Sequence, residues 1–125
     1  MDPAINMPDV VGELEAAFDA YEQALLRHDV AMLDRFFRDD PQTVRYGVAE
    51  NLYGAAAIRT YRLACAPVHP DRRITQRVVT SFGTGTWTIS AKFAAPDSDK
   101  IGRQMQTWIR FGDGWRIVAA LVSVI

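Results

Sequence analysis

The sequence predicts an α+β domain in which helices pack on one face of a curved, mainly antiparallel sheet. Apolar residues recur every three or four positions in the first half of the chain, which is the spacing of amphipathic helices. After Pro67 and Pro70 the period changes to about two, in four successive runs separated by turn residues. Helices followed by long neighbouring strands are typical of layered α+β folds. Because a long sheet must curl around its helices, we expect a cavity for a small ligand between the layers.

The first predicted helix runs from Pro8 to Arg27, with Asp9 placed to cap it. Its inner face is predicted to consist of Val11, Leu14, Phe18, Tyr21 and Leu25. Its solvent side is predicted to carry Glu13, Glu15, Asp19, Glu22 and Arg27. The acidic-to-basic order along that side suits the helix dipole.

Two shorter helices and two short strands are predicted next. Asp29 can cap a helix from Val30 to Phe37, and a third helix is predicted over residues 55–66. Residues 43–46 and 51–53, around Gly47, are predicted to be short extended pieces.

The four long strands are predicted over residues 74–82, 86–93, 101–111 and 115–125. Gly83-Thr84-Gly85 and Gly112-Asp113-Gly114 suit tight hairpin turns, and residues 95–99 suit a longer loop. We therefore expect the last three strands to form an antiparallel meander.

Length and composition indicate one ordinary domain over residues 1–125, since the 125 residues are 49% apolar and 23% charged. Fourteen basic and fifteen acidic side chains leave a formal charge of -1, so no nucleic-acid or membrane partner is predicted. The longest apolar stretch, residues 117–122, is too short to cross a bilayer. The single Cys65 cannot close an internal disulfide and no basic, apolar leader is recognisable, so we expect a cytoplasmic protein.

No metal or cofactor is predicted. The two histidines, His28 and His69, lie at a helix end and in a proline-bounded loop, without a third ligand at usable spacing. Cys65 lies among apolar helical residues, where a buried, unreactive thiol is expected. Gly83-Thr84-Gly85 lacks the third glycine and the following helix of a dinucleotide-binding turn.

Tyr21 is the first candidate for chemistry, because it lies on an otherwise apolar helix face. A buried phenol must find a polar partner. It is either a core tyrosine bonded to the backbone or a general acid that projects into the cavity.

Arg45 is the second candidate. Alternation along its short strand places it on the side opposite Val44 and Tyr46. Facing the cavity, its guanidinium would match a carboxylate, whereas facing solvent it could pair with Glu50 or Asp40. The polar run at residues 102–108 leaves a similar choice, between lining a wet cavity and facing solvent.

Four strings of the sequence resemble the AtzH-like and HpxZ-like family of the NTF2-like superfamily. They are Thr43-Val44-Arg45-Tyr46-Gly47, Glu50-Asn51-Leu52-Tyr53-Gly54, Gly102-Arg103-Gln104 with Gln106-Thr107-Trp108, and residues 114–120, Gly-Trp-Arg-Ile-Val-Ala-Ala. The resemblance extends from about residue 7 to residue 125. It implies a cystatin-like α+β cone and a homodimer formed through the outer face of the sheet.

The resemblance also implies a role in the catabolism of small anionic ureido acids, in pathways for cyanuric acid or oxalurate. The activity it implies is that of a hydrolase, a decarboxylating amidohydrolase that converts 1,3-dicarboxyurea to allophanate. Carried over to this chain, the family's functional pair is Tyr21 and Arg45. The further candidate substrate contacts are Tyr46, Asn51, Tyr53, Arg103, Trp108 and Leu121.

The chain departs from the family pattern at three places. Leu121 and Met105 stand where many relatives have histidine and serine, and residues 92–95 read Lys-Phe-Ala-Ala instead of Glu-Phe-Arg-Arg. If these positions line the cavity, we expect a more apolar site with fewer cations.

A second interpretation is a non-catalytic module, a ligand-binding or dimerisation domain that serves a partner amidase. A steroid-isomerase activity, which the fold also allows, requires a carboxylate base in the cavity. Residues 74–93 and 101–111 contain no Asp or Glu, so the strands supply no such base.

Overall fold

Three helices pack on one face of a six-stranded sheet in the computed structural model, which describes residues 1–125. The helices are α1 (Pro8–Leu26), α2 (Val30–Phe36) and α3 (Ala55–Ala64). The strands are β1 (Val44–Tyr46), β2 (Asn51–Tyr53), β3 (Arg73–Phe82), β4 (Thr86–Ala94), β5 (Gly102–Phe111) and β6 (Gly114–Val124). The predicted α+β cone, with helices on a curved, mostly antiparallel sheet, is confirmed.

The strand order is β2-β1-β6-β5-β4-β3, so the four long strands follow one another as an antiparallel meander. Only β1 and β6 run parallel. Register shifts at Ile74/Gln76 and at Thr107/Trp108 interrupt the ladders. Such irregularities increase local twist and help a long sheet to curl.

The core lies between α1 and the inner face of the sheet. Trp87 and Trp108 are fully buried and stack with ring centroids 4.9 Å apart. Leu14 and Phe18 of α1 are also fully buried and belong to the same hydrophobic cluster. This packing holds α1 in a fixed rotation about its axis, which decides where its polar residues point.

Three details of α1 differ from the prediction. Val11, predicted on the inner face, is only partly buried, and its neighbour Val10 packs in the core instead. The helix begins at Pro8 with Met7 as its N-cap, so Asp9 lies within the first turn and does not cap it. Proline suits the first helical position because its missing N–H would have had no partner there. Glu22 is buried at 8% exposure and does not face solvent, because it follows Phe18 by four positions and finds a buried partner.

The second helix begins as predicted, since Asp29 Oδ1 accepts a hydrogen bond from the Met32 backbone N–H at 3.1 Å. None of the three helices has both the length and the apolar composition needed to span a membrane.

Candidate functional site

A cavity of about 240 Å³ lies between α1, α3 and the inner face of the sheet. Its walls are mostly apolar, with Leu25, Val122 and Val124 among them. Its polar lining consists of Tyr21, Arg45, Glu50, Tyr61, Arg62, Cys65, Arg72 and Gln104. A cavity of this size, with convergent polar groups in an apolar wall, suits a small metabolite.

A larger groove of about 440 Å³ lies elsewhere on the surface, beside α2 and the β5–β6 turn. Three of its four arginines are engaged, because Arg38, Arg59 and Arg116 pair with Asp40, Asp34 and Asp113. The fourth, Arg35, is exposed to solvent. The groove therefore holds no buried charge without a partner, whereas the cavity holds one at Arg45, so the cavity is the stronger candidate site.

Arg45 faces the internal cavity and not solvent. Its residue exposure is 7%, and its partner in the β1–β6 ladder is Ala120 of the inner face. Its Nη1 atom is buried without a hydrogen-bond partner, and Arg45 takes part in none of the protein's ion pairs. The Arg45 guanidinium lies 4.9 Å from the ring centroid of Tyr61. An unpaired buried guanidinium is costly to hold in place, which makes Arg45 a candidate for binding a ligand.

Gly47 makes room for this arrangement. A Cβ atom at Gly47 would lie 2.9 Å from Arg45 Nη1 and 2.9 Å from Glu50 Oε2. An alanine in place of this glycine would therefore displace the ends of the Arg45 and Glu50 side chains, which pass close to the Gly47 backbone.

Tyr21 projects from α1 into the same cavity and is 4% exposed. Its ring makes edge-to-face contacts with Phe36, Phe37 and Trp108, at centroid distances of 5.7, 6.4 and 6.4 Å. Three aromatic neighbours fix the orientation of the phenol. The cavity thus brings together Tyr21 and Arg45, the pair that the sequence singled out.

A buried network that the sequence did not predict forms another part of the wall. Arg72 Nε and Nη2 each donate to Glu22 at 3.2 Å, and Nη2 also donates to Gln104 Oε1 at 3.1 Å. Gln104 Nε2 donates to Glu22 Oε1 at 2.8 Å. The Phe93 ring centroid lies 3.8 Å from Arg72 Cζ. The sequence gives only a weak indication of this network, because Glu22 lies at the edge of the apolar face of α1 and its partners are far away in sequence.

The remaining cavity groups surround Tyr61 of α3. Burial raises the pKa of Tyr61, the adjacent Glu50 carboxylate raises it further, and Arg45 opposes the rise. Arg62 is 6% exposed and lies 5.8 Å from the Tyr61 ring centroid. Cys65, which the sequence placed among buried unreactive thiols, is half-buried and lines the cavity.

The polar run at residues 102–108 divides between the two faces of the sheet. Gln104 and Gln106 are buried on the inner face, whereas Arg103 and Met105 are exposed on the outer face. Gln106 does not line the cavity, because its Oε1 accepts from Trp108 Nε1 at 2.9 Å in the core.

Six other predicted site residues lie away from the cavity. Trp108 is in the core behind Tyr21, where it is fully buried. The other five lie on the outer side of the sheet or at its edge: Tyr46, Asn51, Tyr53, Arg103 and Leu121. The hydroxyls of Tyr46 and Tyr53 lie 3.0 Å apart there.

The departures from the family pattern at Leu121, Met105 and Lys92 also fall on the outer face, where the three residues line a shared depression. These three departures therefore leave the polarity of the cavity unchanged, and Ala94 and Ala95 are not among the residues that line it. No three His, Cys, Asp or Glu side chains lie close enough together to hold a metal ion.

Solved structures similar to this chain share its fold over almost its whole length. A protein of unknown function from Pectobacterium atrosepticum is 48% identical, with a TM-score of 0.94, over 97% of this chain and 94% of that one. A cystatin-like fold protein from Burkholderia xenovorans is 46% identical, with a TM-score of 0.96, over 98% of this chain and 97% of that one.

Nuclear transport factor 2 from Cryptosporidium parvum is similar in fold alone, at 16% identity and a TM-score of 0.73, over 98% of this chain and all of that one. No curated protein matches the sequence. The model of the AtzH-like family matches residues 3–125, nearly the entire chain. The chain therefore belongs to the AtzH-like family.

Proposed function

We propose that this protein is an enzyme of ureido-acid catabolism that removes the N-carboxylate of a small ureido diacid, as in the conversion of 1,3-dicarboxyurea to allophanate. The observation that carries the proposal is the buried Arg45 guanidinium, whose Nη1 has no protein partner although it lies in the wall of a cavity. A carboxylate on a bound ligand would supply the missing partner with matched geometry.

The charges of the cavity support an anionic ligand. Arg72 is balanced by Glu22 in a buried ion pair, with both side chains at 10% exposure or less. The other charged residues of the lining are Arg45, Arg62 and Glu50, which together carry two positive charges and one negative charge. The cluster keeps one excess positive charge, which a carboxylate can neutralise away from water.

The proposed reaction divides between two residues. Arg45 binds the carboxylate that stays on the product and so fixes the substrate in place. The other carboxylate leaves as CO₂, the electrons of its C–N bond remain on nitrogen, and the Tyr21 phenol gives that nitrogen a proton that water later restores. Apolar walls such as Leu25 and Val124 favour loss of charge from the departing carboxylate.

Thermal unfolding with millimolar oxalurate, allophanate, malonate and neutral biuret tests the binding step. A ligand at about a hundred times its dissociation constant adds about 2.7 kcal/mol, which raises the midpoint by several degrees. We expect the three anions to raise it, biuret to have little effect, and Arg45→Ala to abolish the rise. Arg73→Ala, a substitution at an exposed arginine, is the matched control.

Turnover is then measured as CO₂ release from freshly prepared 1,3-dicarboxyurea, above its spontaneous decay. Release that depends on Arg45 supports the enzyme. Anion binding without any acceleration would contradict it and would favour the alternative, a ligand-binding module, for which co-purification of an amidase is the direct test.

We also propose that the protein is a homodimer formed through the outer face of the sheet. Large apolar side chains are exposed there, with Met105 at 53% and Leu121 at 43%. Analytical ultracentrifugation of the wild type and of Leu121→Glu tests this, because a buried charge at the interface should release monomers. A wild type that sediments as a monomer at micromolar concentration would contradict it.

A further inference from the structure

Arg72 and Arg45 line one cavity but differ in what already binds them. Arg72 is held by two parallel hydrogen bonds to the Glu22 carboxylate, both of 3.2 Å, and by one to Gln104 Oε1 of 3.1 Å. These bonds use Nε and Nη2, which leaves the Nη1 edge for the cavity that Arg72 lines. Arg45, in contrast, has no ion-pair partner and a buried Nη1 without any bond.

The difference in pairing produces a difference in preference. A guanidinium whose charge is balanced by a bidentate carboxylate still donates hydrogen bonds, but a second carboxylate would place two negative charges against one positive charge. A neutral carbonyl oxygen satisfies the free N–H groups of Arg72 without that repulsion. The unpaired Arg45 has the opposite preference, for a charged group.

The orientation of Arg72 is fixed from three sides. Glu22 approaches from α1, Gln104 from β5, and the Phe93 ring stacks 3.8 Å from Arg72 Cζ. A donor held this firmly loses little conformational entropy when a ligand binds. Rigid placement of this kind is what recognition of one specific oxygen atom requires.

We propose that Arg72 is a specificity-determining residue that binds the ureido carbonyl oxygen of the ligand, and that Glu22 is a positioning residue that balances and orients Arg72. The proposal rests on the proposed function, since it takes the ligand to be a ureido acid bound through its carboxylate at Arg45.

The same contact assists the proposed reaction. When the bond between nitrogen and the departing carboxylate breaks, its electron pair stays on nitrogen and spreads onto the adjacent carbonyl oxygen. The Arg72 N–H groups stabilise the negative charge that develops on that oxygen until Tyr21 protonates the nitrogen. Removal of Arg72 should therefore lower kcat as well as weaken binding, by about 10²-fold to 10³-fold in kcat.

Two ligands of the same shape distinguish the contribution of Arg72 to binding from that of Arg45. Ureidoacetate carries a carboxylate and a ureido carbonyl, and 4-methylpentanoate has the same branched outline and carboxylate but no carbonyl. Calorimetry with the wild type should show that ureidoacetate binds at least about tenfold more tightly, the value of one charge-assisted hydrogen bond.

The double variant Glu22→Gln/Arg72→Gln removes both charges together and so leaves the net charge of the cavity unchanged. In it we expect the affinity ratio of the two ligands to fall to about threefold or less. Arg45→Met should weaken both ligands to a similar degree and keep the ratio. Arg73→Gln, the same substitution at the neighbouring exposed arginine, should change neither affinity.

The outcomes distinguish this inference from the function on which it rests. A ratio that persists in the folded double variant overturns the role of Arg72, while dependence on Arg45 would still support an anion-binding site. If neither ligand binds the wild type, the result contradicts both the proposed function and the role of Arg72.

Nitrogen-15 NMR of the arginine side chains in the unaltered protein covers the case in which the double variant does not fold. We expect ureidoacetate to shift the Arg72 resonances and 4-methylpentanoate to leave them in place. Arg72 resonances that stay in place with saturating ureidoacetate would overturn the inference.

Discussion

Arg45 lies opposite Ala120 in the parallel ladder between β1 and β6, and this register turns its guanidinium into the cone. Its neighbours Val44 and Tyr46 lie opposite Ala119 and Leu121 and face the other way. A shift of one residue would exchange the two faces and remove the cation from the cavity. The register of a strand of three residues thus sets the charge of the candidate site.

The first prediction concerns the cost of burying the unpaired Arg45 guanidinium in the folded protein. Because Arg45 Nη1 is buried without a partner, Arg45→Met should raise the free energy of unfolding of the ligand-free protein by about 1 kcal/mol. The variant should also lose the thermal shift caused by oxalurate. Urea denaturation with and without oxalurate measures both effects. A variant less stable than the wild type without ligand would contradict this prediction, since it would show that the contacts of Arg45 with Tyr61 and Glu50 outweigh the cost of its burial.

The second prediction concerns the phenol of Tyr21. Tyr21→Phe keeps the ring and its contacts with Phe36 and Trp108, so the fold should be unaffected. Turnover of 1,3-dicarboxyurea should fall by about 10²-fold to 10³-fold, because the proton donor is lost. Binding of malonate, which has no nitrogen to protonate, is the control and should change little. Unchanged turnover would exclude Tyr21 as the acid.

The third prediction separates a buried glutamate from an exposed one on the same helix. Glu22→Ala leaves the Arg72 charge buried and uncompensated, so it should cost about 3–5 kcal/mol of unfolding free energy. Glu15→Ala, at an exposed position of α1, should change stability by less than about 0.5 kcal/mol. Similar effects of the two substitutions, measured by urea denaturation, would contradict the buried network.

The fourth prediction concerns the packing of Phe93 on Gly102. A Cβ atom at Gly102 would overlap the Phe93 ring, so Gly102→Ala must displace that ring. We expect a loss of about 1–3 kcal/mol in stability and weaker binding of ureido acids, because Phe93 also stacks on Arg72. Gly85→Ala is the matched control, since a Cβ there meets nothing within 4 Å. Equal thermal midpoints for the two variants would count against this contact.

The fifth prediction concerns ionisation of Tyr61, whose pKa is raised above 10.0, first by burial and then by Glu50. Because the fold favours the neutral phenol, Tyr61 contributes stability that is present below the pKa of the unfolded chain and lost as pH rises through the folded pKa. Phenolate absorbance of the wild type minus that of Tyr61→Phe should show a group that ionises above pH 10. A difference curve with its midpoint at or below pH 10 would contradict it.

Much of the fold could be predicted from the sequence because its signals are local. The helical spacing of Leu14, Phe18 and Tyr21 depends only on neighbouring turns, and the hairpin glycines lie between the strands they connect. Every predicted helix and strand is present, with ends that differ by at most two residues. The predicted start of α1 at Pro8 is correct, but the cap is Met7 and not Asp9, because two start signals, Pro8 and Asp9, stand side by side.

The site was harder to predict because its contacts are not local. Glu22 and Arg72 are 50 residues apart, and a helical pattern cannot show that an acidic residue at its edge will be buried. Alternation separated Arg45 from Tyr46, but only the pairing with β6 shows which of the two faces the cavity. The family motifs do not show which face of the sheet a residue occupies. Tyr46 and Leu121 were therefore predicted to contact the substrate in the cavity, although they lie on the outer face.

The parallel pairing of β1 with β6 also sets the order in which the binding site can come into existence. Ribosomes complete β1 early, but its partner β6 is the last of the six strands to be made, so the Arg45 side chain has no cavity to enter until β6 has emerged. Contacts so distant in sequence form slowly, whereas the helices can form at once. Ligand binding is therefore a property that a nascent chain acquires only after β6 has joined the sheet.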